Sequence, residues 1–351
     1  MKDKINVGFI GCGGHSWRNI FPALQWASVN LVATCDLDEE RAKKYARQFG
    51  AERYYTDHRK MLAHENLDAV FIVAGYDQDG RILYPILAID AMRAGCHAWI
   101  EKPPANSTAE VREMMKVEQE TGKFVMVGCK KCFFPAVEKA WEISRREEFG
   151  KPTSIYVRYP MWLPSEADRM AGQGTRDLFD HIPHPGSVLR YFMGPIDHIY
   201  IEDERIAGAA MITIGFKNGS IGLLHSCVGM SGTSPLERLE VIGKGANVIL
   251  DNGIKLTYYR PGNRGPYGQT PSFVVPDEMA PLYWEPEFSL GVLYNKGLFI
   301  EGFVGEVTHF AECVLKNEKP QKCGTDYMLE TTKLYEALCG PSRRIIKIPE
   351  D

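Results

Sequence analysis

The sequence lacks any apolar run that approaches the roughly 18 residues needed to cross a membrane. It also lacks a basic excess, because 41 Lys and Arg residues stand against 45 Asp and Glu residues and the formal net charge is -4. A nucleic-acid-binding protein needs a basic footprint, so neither nucleic acid nor a membrane is an expected partner. The chain leads straight into an apolar strand without the apolar region of a signal peptide, so we expect a cytoplasmic location.

The nine cysteines are scattered along the chain, which is typical of reduced, buried thiols and not of a disulfide framework. One pair, Cys129 and Cys132, has the CxxC spacing of a zinc or redox element. No second CxxC and no nearby histidine pair completes a tetrahedral site around it. We therefore predict no metal site, and metal or redox chemistry at this pair is the open alternative.

The order of the apolar runs predicts two domains. Residues 1–127 alternate short apolar runs with helical segments, a pattern that predicts βαβ units and a parallel sheet covered by helices on both faces. Residues 128–351 become rich in strands separated by Asn-Gly turns, which predicts a second α/β domain with a largely antiparallel sheet. Within it, the Pro- and Gly-rich stretch 261–286 predicts a long surface loop.

The first predicted strand ends in a glycine-rich turn, Gly11-Cys12-Gly13-Gly14-His15-Ser16. In such a turn the first glycine permits the tight bend and the second lets the backbone approach a pyrophosphate at a helix N-terminus. Ser16 stands where a third glycine or alanine is usual. Asp36 ends the next strand, where a carboxylate accepts hydrogen bonds from ribose hydroxyls and repels a 2′-phosphate. Leu37 offers no basic partner, so the pattern favours NAD over NADP. A plain βα turn with a helix-capping acid is the alternative.

Two further groups of residues can carry chemistry. Glu101-Lys102-Pro103 follows the fourth strand at the carboxyl edge of the predicted sheet, where a lysine can hold a substrate hydroxyl. In the second domain, Asp180 and His184 lie four positions apart, a spacing that places a carboxylate and an imidazole on one side of a helical turn. A surface lysine and a structural histidine are the alternatives that the residues alone leave open.

The chain resembles the Gfo/Idh/MocA family of sugar and inositol dehydrogenases over nearly its whole length. The resemblance rests on the glycine turn, on Asp36, on RAGCHAWIEKPPA (Arg93 to Ala105) and on DLFDHIPHPGSVLRYFMG (Asp177 to Gly194). It implies a doubly wound Rossmann domain followed by an α/β domain whose open antiparallel sheet mediates oligomers, a homodimer or a homotetramer.

The resemblance also implies roles for individual residues. Lys102 would lie against the nicotinamide and the substrate, Asp180 would orient the substrate, and His184 would be the general base. The predicted cofactor-binding residues are Gly11, Cys12, Gly13, Gly14, His15, Ser16, Asp36, Ala74, Glu101 and Lys102. Four other side chains are candidates for substrate binding: Lys131, Arg158, Trp162 and Arg176. Trp162 suits stacking on a sugar face, and a core tryptophan is its alternative.

The predicted function is reversible NAD-dependent oxidation of a secondary alcohol on a sugar, sugar derivative or cyclitol. Two alternatives remain open: a glycoside-cleaving enzyme that keeps NAD bound and oxidises its substrate transiently, and a non-catalytic dinucleotide sensor. The chain departs from the usual family pattern at five places, so the resemblance leaves the specific substrate open. These are Ala74-Gly75, Tyr84, Cys132-Phe133, Ile182 and Ser187.

Overall fold

The computed structural model describes residues 3–262, 280–287 and 296–350. The chain forms two compact units. The first combines Met1–Phe133 with Asn295–Lys333, and the second combines Phe134–Tyr294 with Leu334–Asp351. A segment from the C-terminal part of the chain thus belongs to the first unit, which the sequence patterns do not indicate. The boundary expected between residues 127 and 128 stays a prediction.

The described residues of the first unit contain a parallel six-stranded sheet. Its strands are β1 (Ile5–Ile10), β2 (Val29–Cys35), β3 (Arg53–Tyr55), β4 (Ala69–Ile72), β5 (His97–Ile100) and β6 (Val125–Val127). They lie in the order β3-β2-β1-β4-β5-β6, so successive strands add to one side of β1 as far as β3 and to its other side from β4 onward. Every residue of β4 and β5 is buried, as expected for strands covered on both faces. The predicted Rossmann-type parallel sheet is confirmed.

Helices connect these strands. They are α1 (Phe21–Leu24), which follows a π-helical turn at Ser16–Ile20, α2 (Glu39–Phe49), α3 (His58–His64), α4 (Tyr84–Arg93) and α5 (Thr108–Thr121). Asp38 caps α2, since its carboxylate accepts the backbone N–H of Arg41, and Gly50 ends the helix in the left-handed region at φ 78°. A side-chain cap of this kind stabilises a helix by about 1 kcal/mol. Among the described residues, no helix is long and apolar enough to cross a membrane.

The second unit is built on a mixed sheet, with nine strands among the described residues. They are β7 (Ser154–Pro160), β8 (Ile196–Asp203), β9 (Ala210–Phe216), β10 (Ile221–Cys227), β11 (Arg238–Ile242), β12 (Asn247–Asp251), β13 (Lys255–Tyr259), β14 (Leu282–Trp284) and β15 (Ile345–Lys347). The order is β14-β13-β12-β11-β7-β10-β9-β8-β15. The β7–β10 pair is parallel and the other pairs are antiparallel, which confirms the largely antiparallel sheet.

Helices cover one face of this sheet. The second unit contains α6 (Pro135–Ser144), α7 (Glu166–Met170), α8 (Arg176–His181) and α9 (Pro183–Met193). Along β7, Ile155, Val157 and Tyr159 point into the core that contains residues of α6 and α9. Side chains alternate between the faces of a strand, so Tyr156 and Arg158 lie on the opposite face.

The C-terminal helices are α10 (Lys296–Ile300), α11 (Phe303–Lys316) and α12 (Thr325–Leu338). Helix α11 packs in the first unit. The ring of Phe310 contacts those of Phe71 and Phe124, with centroid distances of 5.2 Å and 6.0 Å. All three rings are buried, so α11 supplies part of the apolar cover of the parallel sheet.

Several described elements differ from the predicted pattern, among them β8, α7, α8 and β14. Strand β8 was not predicted, because its sequence IDHIYIED mixes charged and apolar residues and its pairing with β9 shifts register between Ile196 and His198. The Gly-rich segment that precedes His184 predicts a loop, and the structure places α7 and α8 in it. The loop predicted at 261–286 contains β14, which pairs with β13, while residues 263–279 lie outside the described part of the chain.

Candidate functional site

The glycine turn after β1 has the geometry that the sequence predicts. Gly11 adopts φ 98°, and a Cβ atom there would lie 2.1 Å from the carbonyl oxygen of Val73. A larger residue is therefore excluded both by the backbone conformation and by the close strand contact. A Cβ added at Gly13 or Gly14 would meet no atom within 4 Å. These two positions thus face open space, which leaves room for a pyrophosphate to approach the backbone.

Buried side chains hold the turn in place. The Ser16 hydroxyl donates to the Gly11 carbonyl at 2.6 Å, and the Tyr45 hydroxyl donates to the Gly13 carbonyl at 2.9 Å. Ser16 is fully buried, so it supports the turn from the inside. Cys12 is also buried, and burial, followed by the negative charge of Asp36, raises the pKa of its thiol. The Cys12 thiol therefore stays protonated near neutral pH.

A cavity of about 730 Å³ lies beside this turn, a volume within the range of small-molecule sites. Its walls include four of the predicted cofactor-binding residues, Gly11, Gly13, Asp36 and Ala74. Residues that the sequence reasoning did not select also line it, among them Arg41, Asp57, His58 and Tyr76. The hydrogen-bonding groups of the cavity fit a dinucleotide, because an open glycine backbone and a strand-end carboxylate face the same space.

Asp36 is fixed by three donors. Its Oδ2 accepts the backbone N–H of Cys12 at 2.7 Å, and its Oδ1 accepts the backbone N–H of Asp38 at 2.9 Å. The guanidinium of Arg41 donates to the same Oδ1 through Nη2 at 2.9 Å and Nε at 3.3 Å. A basic partner therefore reaches Asp36, although the adjacent Leu37 offers none. This contact could have been predicted from the sequence. The Asp38 cap places Arg41 in the first turn of α2, where side chains lean toward the helix N-terminus.

His15 and Glu101 are joined directly. The His15 Nε2 lies 2.8 Å from the Glu101 Oε1, and the Asn19 amide lies 3.0 Å from the other imidazole nitrogen. The second Glu101 oxygen accepts the backbone N–H of Lys102 at 2.9 Å. Glu101 is buried and Lys102 half-buried, in the turn that follows β5. The structure thus connects the glycine turn to the predicted Glu101-Lys102 element.

A second carboxyl group, that of Glu306, lies close enough to Glu101 for their charges to interact. Glu306 is fully buried on α11, and neither of its carboxyl oxygens has a hydrogen-bond partner among the described residues. Burial raises the pKa of Glu306 well above its ordinary value, and the negative charge of Glu101 adds to that effect. Sequence reasoning missed it, although an acid on the buried face of an apolar helix is a recognisable signal.

In the second unit, Asp180 lies on α8 and His184 lies at the second position of α9. The buried ring of Tyr159 lies 5.9 Å from the His184 ring and 6.2 Å from the His181 ring, measured between centroids. His181 forms its own pair, since its Nδ1 lies 3.2 Å from a carboxylate oxygen of Asp177. Asp177 and His181 have the same four-residue spacing in the sequence as Asp180 and His184, and the sequence reasoning selected only the latter two.

The substrate-binding candidates are spread over the fold. Trp162 is 39% exposed, and a Cβ at Gly208 would lie 2.1 Å from its indole nitrogen, so the ring packs tightly against that backbone. Arg158 lies on the sheet face opposite Tyr159 and donates to the Pro235 carbonyl at 2.5 Å, so it is not brought together with His184. Arg176 begins α8.

The remaining candidate, Lys131, lies in a 3-10 turn at Lys130–Phe133 and, like Lys102, belongs to the first unit. Asp180 and His184 belong to the second. The assigned roles of all these residues stay predictions.

Cys129 and Cys132 are buried free thiols. A third buried thiol, Cys323, lies next to them, with its sulfur 3.9 Å from the Cys129 carbonyl oxygen. Burial raises the pKa of Cys323 well above its ordinary value. Within the described ranges, no three His, Cys, Asp or Glu side chains are arranged to hold a metal ion.

Two family models match the chain. One, described as an oxidoreductase family with an NAD-binding Rossmann fold, matches residues 5–129, and the other, a GFO/IDH/MocA C-terminal domain, matches residues 137–249. The chain belongs to the Gfo/Idh/MocA family of oxidoreductases. The predicted membership is thus confirmed, and with it the coarse function of an NAD-binding oxidoreductase.

Relatives in this family share low identity with the chain. A myo-inositol 2-dehydrogenase of Thermotoga maritima is 24% identical over 252 residues, which cover 68% of this chain and 72% of the relative. A D-xylose 1-dehydrogenase (NADP(+)) of Haloferax volcanii is 28% identical over 203 residues, which cover 55% and 58%. The structure is similar to that of an NAD binding oxidoreductase from Klebsiella pneumoniae, with a TM-score of 0.80, 19% identity, and 99% and 100% of the two chains covered.

Proposed function

We propose that this Gfo/Idh/MocA protein catalyses reversible hydride transfer between NAD and a secondary alcohol of a sugar, sugar derivative or cyclitol. The observation that carries the proposal is the cavity in which the open backbone at Gly13 and the carboxylate of Asp36 face the same space. Backbone N–H donors suit the pyrophosphate of a dinucleotide, and a carboxylate acceptor suits its ribose. The names of the relatives, an inositol dehydrogenase and a xylose dehydrogenase, support the substrate class.

The cofactor would be held by the predicted turn residues together with Asp36, Ala74 and Glu101. Bound NAD supplies the hydride acceptor. The glycine turn would bind the pyrophosphate through backbone N–H groups, and Asp36 would accept hydrogen bonds from the ribose. NAD is the proposed cofactor, because its two free ribose hydroxyls are the donors that a carboxylate at this position accepts. The D-xylose 1-dehydrogenase to which the chain is similar is named for NADP(+).

The catalytic roles follow the family motifs. His184 would take the proton of the reacting hydroxyl, Lys102 would stabilise negative charge on that oxygen, and Asp180 would orient a neighbouring hydroxyl. Histidine suits the role of base because its ordinary pKa lies near neutrality. Trp162 would stack on the apolar face of a sugar ring, since more than a third of its surface is exposed. Lys131, Arg158 and Arg176 remain proposals for contacts to hydroxyl or acidic substituents.

Two proposals concern the protein as a whole. The face of the large sheet that includes Ile221 and Ile242 exposes large apolar side chains, which favours burial against a second copy in a homodimer or homotetramer. All nine cysteines are free thiols, which supports a reducing compartment such as the cytoplasm. Size-exclusion chromatography with light scattering tests the first proposal, and a monomer would contradict it.

The test of the proposed function is NADH formation at 340 nm with NAD and a panel of inositols, aldoses, uronic acids and glycosides, repeated with NADP. We expect a steady rise in absorbance with at least one polyol. Glycoside cleavage without net NADH would support the enzyme that retains its cofactor. If NADH binds and the panel gives neither cleavage nor NADH, the dehydrogenase proposal fails and a dinucleotide sensor is favoured.

A further inference from the structure

The inference concerns Arg41, which lines the cavity that also contains Asp36. The two side chains differ in how firmly they are held. The Asp36 side chain is 10% exposed and receives two backbone N–H groups, from Cys12 and Asp38. The Arg41 side chain is 54% exposed. The carboxylate is therefore a fixed group, while the guanidinium can change rotamer at little cost in buried contacts.

The ion pair with Arg41 reduces the number of open acceptor sites and the negative charge that Asp36 offers to a dinucleotide. A carboxylate offers about four acceptor sites, and Cys12, Asp38 and Arg41 already occupy most of them. The guanidinium also lies 2.9 Å from the carboxylate oxygen, where it offsets the negative charge. A carboxylate that is paired in this way repels a 2′-phosphate much less than an isolated one.

The guanidinium also has the chemistry to bind that phosphate. Its planar fork of N–H donors matches phosphate oxygens, and such charge-assisted pairs are stronger than neutral hydrogen bonds. Acidic residues follow Asp36 closely, at Asp38, Glu39 and Glu40. They oppose a second negative charge, so any affinity for a 2′-phosphate depends strongly on the nearby guanidinium.

We propose that Arg41 is a specificity-determining residue that allows the dinucleotide site to accept NADP as well as NAD, by pairing with the 2′-phosphate beside Asp36. This inference rests on the proposed dinucleotide-binding function. With NAD, Arg41 keeps its contact with Asp36, and with NADP it pairs with the phosphate while its positive charge stays beside the carboxylate. The protein then uses NAD and NADP at one site, and Arg41 sets the ratio of the two affinities.

The experiment is direct titration of the full chain with NADH and with NADPH, followed by nucleotide fluorescence in the absence of substrate. We expect wild type to bind both. Arg41→Ala should weaken NADPH binding by about 10- to 100-fold, the range for a lost hydrogen bond to a charged group. NADH binding should change by less than about threefold, because Asp36 keeps its backbone donors. Arg41→Lys should give an intermediate NADPH affinity, since the charge is retained and the fork is lost.

Arg47→Ala is the matched control. Arg47 lies exposed near the other end of α2, so its replacement removes the same charge from the same helix. It should leave both affinities unchanged. If wild type binds NADH but not NADPH, the inference is overturned and the proposed function stands. An equal loss of both nucleotides in Arg41→Ala, or an unchanged NADPH affinity, would also overturn it. If wild type bound neither nucleotide, the proposed function itself would fail.

Discussion

The imidazole of His15 lies 2.8 Å from the carboxylate of Glu101 and so joins the glycine turn after β1 to the end of β5. Glu101 is buried, and a buried carboxylate depends on its hydrogen-bond partners. The pair therefore fixes two strand ends of the parallel sheet relative to each other. It also places an imidazole in a turn where most of the other residues are glycine, serine or cysteine.

Replacement of His15 tests how much this pair contributes to the free energy of unfolding. His15→Ala should lower the free energy of unfolding by about 1–3 kcal/mol, because the Glu101 carboxylate loses a partner. Urea denaturation measures the change. His15→Gln retains a donor of similar reach and should recover part of the loss. An alanine variant as stable as wild type would show that the hydrogen bond contributes little to the fold.

The glycines of the turn should respond in opposite ways. Gly11→Ala should lower the free energy of unfolding by at least about 1–3 kcal/mol, because the new Cβ would clash with the Val73 carbonyl at a left-handed backbone conformation. Gly13→Ala should leave stability unchanged and weaken NADH at least about tenfold, since the methyl group enters the open space. Thermal denaturation and NADH titration measure the two effects. A Gly13→Ala variant with full NADH affinity would place the pyrophosphate elsewhere.

The two imidazoles near Tyr159 offer a matched comparison. His184→Ala should reduce kcat by about 10²- to 10⁴-fold, the usual contribution of a general base, and leave NADH affinity nearly intact. His181→Ala removes a second histidine from the same segment and should retain most of the activity. Steady-state kinetics on the substrate found in the panel decides between them. If the larger loss occurs at His181, the Asp177–His181 pair is the catalytic one.

Glu306 should make stability depend on pH. Its pKa is raised in the folded state, so the unfolded chain releases this proton at lower pH than the folded protein does. The folded state therefore loses stability as pH rises above about 4.5, the ordinary pKa of Glu, toward the raised pKa. Glu306→Gln removes this loss. Urea denaturation at pH 5 and pH 8 should show a smaller decrease for the variant than for wild type. Equal decreases would mean that Glu306 is ionised in the folded protein.

Much of the first unit could be predicted from sequence because its local signals agree. The sequence predicts helices at Glu39–Phe49 and at about Thr108–Thr121, which are the bounds of α2 and α5. A side-chain cap begins each helix and a glycine in the left-handed region ends it. The largely apolar runs Ile5–Ile10 and His97–Ile100 predict buried parallel strands, and β1 and β5 have these bounds.

Relations between distant parts of the chain were harder to predict. Strand β8 follows no clean alternation, and the contact between His15 and Glu101 spans 86 residues. The Arg41 contact with Asp36 was within reach of local reasoning, since it depends on one helix cap. Asp177 and His181 have the same spacing as Asp180 and His184, so the spacing that selected the second pair fits the first pair equally well.

The first unit combines two segments that are far apart in the sequence, so the ribosome synthesises them at different times. Its sheet is complete once β6 has left the ribosome, whereas α11, which covers Phe71 and Phe124, is translated only after the strands of the second unit up to β14. The part of the nascent sheet that α11 covers therefore stays exposed during more than 150 residues of further translation, about 10 to 30 seconds at usual elongation rates. During that interval the nascent chain is a natural client for chaperones, and release of a chain truncated before α11 would leave this face permanently exposed to aggregation.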